Sequence, residues 1–262
     1  MALTIDFGFD NTSASWNEAY LALLFACKGD PGDIGRAPGP LAVADASRFV
    51  ELFEMQVGTS PLEVGTYSEV VGGDNPIERA VARAEEARSR GMFPIIVGED
   101  RRVTEAYCRD PLVALWGKVG RIEADEQSLF SKVPSVLVGV RSATNQAFQT
   151  IPPQVTILTA RAVSEQADIL PQALGRIGDP VHLSIDLDAL APAVAQTPRS
   201  MEPGGLTWYA LMDAIQAVFE GPGLASAELV GTATIGPRSP AALLASQILL
   251  KMAGLLSAGL GG

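Results

Sequence analysis

Short apolar runs alternate with segments whose apolar positions recur at helical spacing along most of the 262 residues. This alternation predicts an α/β fold with a mostly parallel sheet and helices on both faces, because strands buried on both sides read as continuous apolar runs. The runs predict strands at Leu3–Phe9, Phe93–Val97, Leu112–Trp116, Val136–Val140, Val155–Leu158, Val181–Leu187 and Leu229–Ile235. Asn75-Pro76-Ile77-Glu78 combines an N-cap residue, a proline at the first helical position and an early acid, and Gly91 supplies a stop. Ile77, Ala80, Ala84 and Ala87 form an apolar stripe between them, with Glu78, Arg79, Glu85, Glu86 and Arg90 mostly toward water. Further helices are predicted over Ala162–Arg176, Thr207–Phe219 and Ala241–Leu255. The Gly- and Pro-rich stretch Gly29–Pro40 reads as a long ordered loop, since helix and strand signals resume on both sides.

A hydrophobic content of 47% lets residues 1–262 bury a large core as one domain. The net charge of -11, with no basic tract, argues against a phosphate-binding surface and hence against nucleic-acid partners. Apolar stretches such as Ala241–Leu250 read as interrupted or too short to span a bilayer, and the N-terminus lacks a basic and then apolar leader, so a soluble cytoplasmic protein is expected. Cys27 and Cys108 are too few and too distant in sequence for a disulfide framework or a zinc site, and read as reduced structural thiols.

The most informative stretch is Ser184-Ile185-Asp186-Leu187-Asp188, followed by Pro192 and Glu202-Pro203-Gly204-Gly205-Leu206-Thr207. Carboxylates spaced i, i+2 at the end of an apolar run fall on one face of a strand, where they could grip one cation together. In doubly wound sheets ligands sit at the carboxyl ends of strands, where the runs ending at Val97 and Trp116 would also finish. His182 is the single histidine; it shares that strand face and reads first as a hydrogen-bonded core residue rather than a ligand.

These motifs resemble the ureohydrolase family of arginase, agmatinase and formimidoylglutamase, and the likeness extends over nearly the whole chain. Arg36-Ala37-Pro38-Gly39-Pro40 resembles the family's Gly-Ala-x-x-Gly-Pro loop, and Val97-Gly98-Glu99-Asp100-Arg101 the strand ending in Gly-Gly-Asp-His, with Arg101 in place of the metal-binding His. Val113 to Ile122 resembles the strand running through Trp to Asp-Ala-His-x-Asp, which puts Lys118, Gly120 and Ile122 at its three ligand positions. The following family loop, which carries a catalytic His, is shortened to roughly Glu123–Lys132 and holds no His. Val138-Gly139-Val140-Arg141-Ser142 resembles the Gly-x-Arg strand, Ala191-Pro192 replaces Asp-Pro, and Gly231 stands where a functional Glu is carried. The resemblance implies a three-layer arginase-like fold and, in an active member, two metal ions sharing roughly six donors. Asp186 and Asp188 are what this chain retains of that ligand set.

Two of the replacements, Arg101 and Lys118, are cationic, which predicts an ion-pair network of Arg101, Lys118, Asp186 and Asp188 where the resemblance implies a metal cluster. Two carboxylates about 6 Å apart repel by roughly 3 kcal/mol at an effective dielectric near 20, so a compensating charge is needed. The alternative is that both cations point to solvent and the Asp pair is simply solvated. Asp100, Ser184, Glu202 and Trp208 are candidate pocket-lining residues. No catalytic residue and no cofactor are assigned. The expected function is a pseudoenzyme that binds a small guanidino or amino-acid-like ligand or a protein partner, as a homo-oligomer or in a hetero-oligomer with an active relative. The alternative is a divergent ureohydrolase cleaving a C–N bond of a guanidino or formimino substrate with weakly bound manganese, nickel or magnesium.

Overall fold

The computed structural model describes residues 2–4, 15–28, 39–51, 53–55, 58, 65–119, 128–197 and 201–260. Two compact units emerge, Met1–Ala106 with Glu228–Gly262 and Tyr107–Ala227. The first opens with β1 (Ala2–Thr4), β2 (Leu21–Ala26), α1 (Gly39–Ala46), β3 (Thr66–Val71), α2 (Pro76–Ser89), β4 (Phe93–Val97) and α3 (Arg102–Tyr107), whose last residue passes into the second. The second unit runs through β5 (Leu112–Leu115), β6 (Lys118–Val119), α4 (Leu129–Lys132), β7 (Ser135–Val140), β8 (Ser142–Ala143), α5 (Asn145–Gln149) and β9 (Val155–Thr159). It continues with α6 (Ala160–Glu165), α7 (Ile169–Leu174), β10 (Val181–Asp186), α8 (Pro192–Ala195) and α9 (Trp208–Glu220). β11 (Leu224–Val230) returns the chain to the first unit, which α10 (Pro240–Leu260) completes.

Parallel pairing dominates both units, as the continuous apolar runs predict. In the first unit β3 and β4 flank β2 in parallel, β1 adds an antiparallel edge on β3, and Gly98 N–H donates to Leu229 O at 2.9 Å beside β11. In the second unit β10, β5, β7 and β9 form a parallel series, and the short β6 and β8 pair separately. β2, β4, β5 and β7 are buried at every position, so each strand is covered on both faces. Ala80, Ala84 and Ala87 form the buried stripe of α2, and Gly91 at φ 78° ends it.

Several predicted boundaries move for identifiable reasons. The helix expected over Ala162–Arg176 is two helices, α6 and α7, because Pro171 fits the first turn of a helix but would break the hydrogen-bond ladder inside a continuous one. The strand expected at Leu229–Ile235 is Leu224–Val230, since Gly231 at φ 82° turns the chain out of the sheet. β2 and β3 had not been predicted. β3 carries Glu69 in a buried position, matched by Arg83 Nε at 3.0 Å and the Tyr67 hydroxyl at 2.8 Å. Of the strand expected at Leu3–Phe9, residues 5–9 lie outside the described residues, as does most of the Gly29–Pro40 loop.

α10 corrects the reading of the apolar C-terminal run as too short to span a bilayer, since by length and composition it could cross one. In the fold, 72% of its most apolar window is buried. Ser246 Oγ donates to Val43 O of α1 at 2.6 Å, and Lys251, only 1% exposed along its side chain, meets Glu54 Oε2 at 3.5 Å. These contacts are those of a core helix rather than one facing lipid. Both cysteines are free and buried, and burial followed by the charge of Glu99 pushes the Cys27 thiol up to about 11.

Breaking a buried ion pair from one side costs more than removing the buried charge itself. Glu54→Gln is therefore expected to destabilise the chain by about 3 kcal/mol in urea unfolding, and the double variant Glu54→Gln/Lys251→Met should recover part of that loss. Equal stabilities for the two would show that Lys251 does not need the Glu54 charge.

Candidate functional site

In the second unit the parallel strands end on one side, where β10 finishes at Asp186, β5 at Leu115, β7 at Val140 and β9 at Thr159. β10 stops one residue earlier than predicted, and Leu187–Ala189 form a 3-10 turn. Asp188 therefore lies in the turn and does not share the strand face of Asp186 by alternation, a correction to the sequence reading. Asp186, 6% exposed, caps this turn by accepting the Asp188 N–H at 3.0 Å, and Asp188 Oδ1 accepts the Gly117 N–H at 3.1 Å. Both carboxylates thus organise main chain at the strand ends.

Lys118 Nζ stands 3.5 Å from Glu202 Oε2. The same oxygen accepts a hydrogen bond from Ser142 Oγ at 2.8 Å and lies 4.0 Å from Arg141 Nε. The Ser142 hydrogen bond, followed by the Lys118 and Arg141 charges, holds the Glu202 carboxyl below the usual range. Arg141 is a site residue that sequence reasoning left out of the pocket; its signal was its place as the Arg of the Gly-x-Arg motif at the end of an apolar strand. Its side chain is 6% exposed, its N–H donates to Gly117 O at 2.9 Å, and its Nη1 donates to Ala189 O at 3.3 Å. Nε and Nη2 are buried without a hydrogen-bond partner among the described residues.

Room for this guanidinium comes from two glycines. A Cβ at Gly117 would stand 2.5 Å from Arg141 Nη1 and 2.1 Å from Asp188 O. One at Gly205, itself at φ 102°, would stand 2.8 Å from Nη1 and 2.7 Å from Ala191 N. The Gly204-Gly205 loop is tied down by Ala191 N–H to Leu206 O and Leu206 N–H to Ala189 O, both 2.9 Å.

Arg101 belongs to the first unit, and Lys118, Asp186 and Asp188 belong to the second. Beside Arg101, Arg102 holds Asp100 with Nε and Nη2, each 2.8 Å from a carboxylate oxygen. Ser184 is fully buried and accepts the Trp116 indole N–H at 2.9 Å. Trp208 is half-buried in the first turn of α9, which Thr207 caps. His182 is fully buried, with Nδ1 2.9 Å from Ser226 Oγ and the ring edge-on to Tyr107, in keeping with the core role weighed first. Among the described residues no three His, Cys, Asp or Glu side chains gather into a group able to hold a metal ion. Among the described residues the donors fall short of the roughly six that a binuclear centre shares. Gly120 and Ile122 lie outside the described residues.

A cavity of about 600 Å³ opens at the ends of β7 and β9. Arg141, Ser142, Thr159, Arg161 and Ser164 supply its polar lining. Val140, Phe148, Ile157 and Ala160 supply an apolar wall.

Comparison with known proteins adds an independent line. N(1)-aminopropylagmatine ureohydrolase of Thermus thermophilus is 25% identical over 217 residues, spanning 71% of this chain and 72% of the relative. Agmatinase of Bacillus anthracis is 25% identical over 197 residues, spanning 72% and 61% respectively. The crystal structure of agmatine ureohydrolase from Thermoplasma volcanium superposes with a TM-score of 0.78 at 16% identity, covering 98% of this chain and 96% of that one. The family model described as the arginase family matches residues 117–254. Because that match spans more than half of the sequence, the chain belongs to the arginase family.

Proposed function

We infer that this arginase-family chain works by binding and not by metal-centred hydrolysis. The observation that carries this reading is the Lys118–Glu202 pair: a cation stands at a position that the family resemblance gives to a metal ligand, and a carboxylate holds it at 3.5 Å. A fixed ammonium repels a divalent ion, and Asp186 and Asp188 each already serve a main-chain N–H. In this reading Lys118 balances the charge of Asp186 and Asp188 in place of metal. A small guanidino or amino-acid-like molecule is the ligand class, with like copies or an active relative as assembly partners and the cytoplasm as the compartment.

The named activities of the relatives favour a second reading, and they weigh more toward it than toward the first. N(1)-aminopropylagmatine ureohydrolase and agmatinase align over 71% and 72% of this chain, which supports a divergent ureohydrolase using weakly bound manganese, nickel or magnesium on a guanidino or formimino substrate. The two readings separate on one preparation. The protein is incubated with excess manganese, nickel or magnesium and desalted, and bound metal is measured together with urea or ammonia release from agmatine, N(1)-aminopropylagmatine, guanidinopropionate and formiminoglutamate. The binding reading expects substoichiometric metal and no release. Stoichiometric metal with turnover overturns it.

Two variants test the charge arrangement. Asn caps a turn about as well as Asp, so Asp186→Asn keeps the capping oxygen and removes only the charge. A loss of about 1–3 kcal/mol in thermal unfolding is expected, and an unchanged midpoint would dismiss the charge role of Asp186. For Glu202 the folded carboxyl titrates below its ordinary value of 4.5. Its contribution is therefore complete above that value and lost as pH falls through the lower folded value. The stability gap between wild type and Glu202→Gln should be present at pH 7 and close in acid; a gap that does not change with pH would mean that Glu202 acts through shape alone.

A further inference from the structure

The cavity at the ends of β7 and β9 departs from the rest of the chain in charge. The protein carries 30 Asp and Glu against 19 Lys and Arg, yet among the described residues this lining holds two arginines and three hydroxyl side chains without one carboxylate. Such a lining in so acidic a chain disfavours a cation and suits an anion.

Arg141 carries the argument further. A guanidinium taken out of water needs its donors satisfied, yet among the described residues this one makes a single side-chain hydrogen bond, to Ala189 O at 3.3 Å. The two nitrogens left over, Nε and Nη2, form the edge of the fork that matches two oxygens of a carboxylate or phosphate. Glu202 does not fill this role: its Oε2 is 4.0 Å from Nε and is drawn to Ser142 at 2.8 Å and Lys118 at 3.5 Å. Arg161, at the rim, is partly neutralised by Glu165 at 2.8 Å, so Arg141 is the principal charge. Across the cavity, Ile157 and the 67% exposed Phe148 offer an apolar surface, and about 600 Å³ suits a small ligand.

We propose that this cavity binds a small organic anion with an apolar body, its carboxylate or phosphate held by Arg141 and its body packed against Phe148 and Ile157. The site holds whether or not the chain hydrolyses anything, so its test is independent of metal content and urea release.

The test is titration calorimetry of the full chain with 3-phenylpropanoate, phenyl phosphate and the neutral 3-phenylpropanamide. At least one anion should bind once per chain with a Kd of about 1 mM or tighter, and at least about tenfold tighter than the amide. The stronger anion identifies which acid group the site takes. Ala143, an exposed lining residue, can accept a charge without disturbing the core. Ala143→Glu should weaken the anion by about tenfold or more and leave the amide unchanged. Arg141→Gln should lose the preference for the anion over the amide, with its melting temperature read alongside because the side chain is buried. The proposal is overturned if neither anion binds, if the amide binds as well as the anions, or if Ala143→Glu binds the anion like wild type.

Discussion

A buried guanidinium imposes two demands, space for a planar group and opposite charge near enough to offset lost hydration. The second unit meets the first with Gly117 and Gly205, whose missing Cβ atoms leave room for Arg141 Nη1. It meets the second only in part, with Ala189 O at 3.3 Å and Glu202 at 4.0 Å. Much of the geometry at these strand ends follows from Arg141. Its own N–H holds Gly117 O, while the Gly117 N–H in turn fixes Asp188, so the segment after β5 and the turn after β10 are positioned against the same residue.

The sheet was readable where sequence and burial carry the same message. β4, β5 and β7 are largely apolar runs because both faces are covered, and they fall close to where the hydrophobic pattern puts them. β2 was missed because Leu and Ala favour helix as readily as strand, so the run Leu21–Ala26 carries no β-branched signal. β3 was missed because Glu69 interrupts its apolar pattern, and the partner that makes a buried acid tolerable, Arg83, lies on another element. The split between α6 and α7 was present in the chain as Pro171, a breaker whose placement a helical period alone does not weigh.

The site was less legible than the fold. Asp186 was found, and its capping role depends on a turn at Leu187–Ala189 that strand alternation could not foresee. Lys118 stands out in the sequence as a cation where the resemblance implies a metal ligand, and its pairing with Glu202 depends on how a loop more than eighty residues later is anchored at Leu206. The Gly-x-Arg motif marks Arg141 in the sequence but not its burial, since the space for its guanidinium rests on glycines at 117 and 205. Sequence reports residue chemistry well; the convergence of distant loops is a property of tertiary packing.

The first unit is built from two stretches of chain, and the second from one continuous stretch between them. On a ribosome, Tyr107–Ala227 emerges whole before the last strand and helix of the first unit exist. Until α10 is made, the face of α1 that receives Ser246 at Val43 has no cover, and Lys251 is not yet present to meet Glu54. The apolar early segment must therefore wait in an uncovered state through the synthesis of more than a hundred residues, the interval in which a nascent chain of this design depends most on protection from self-association.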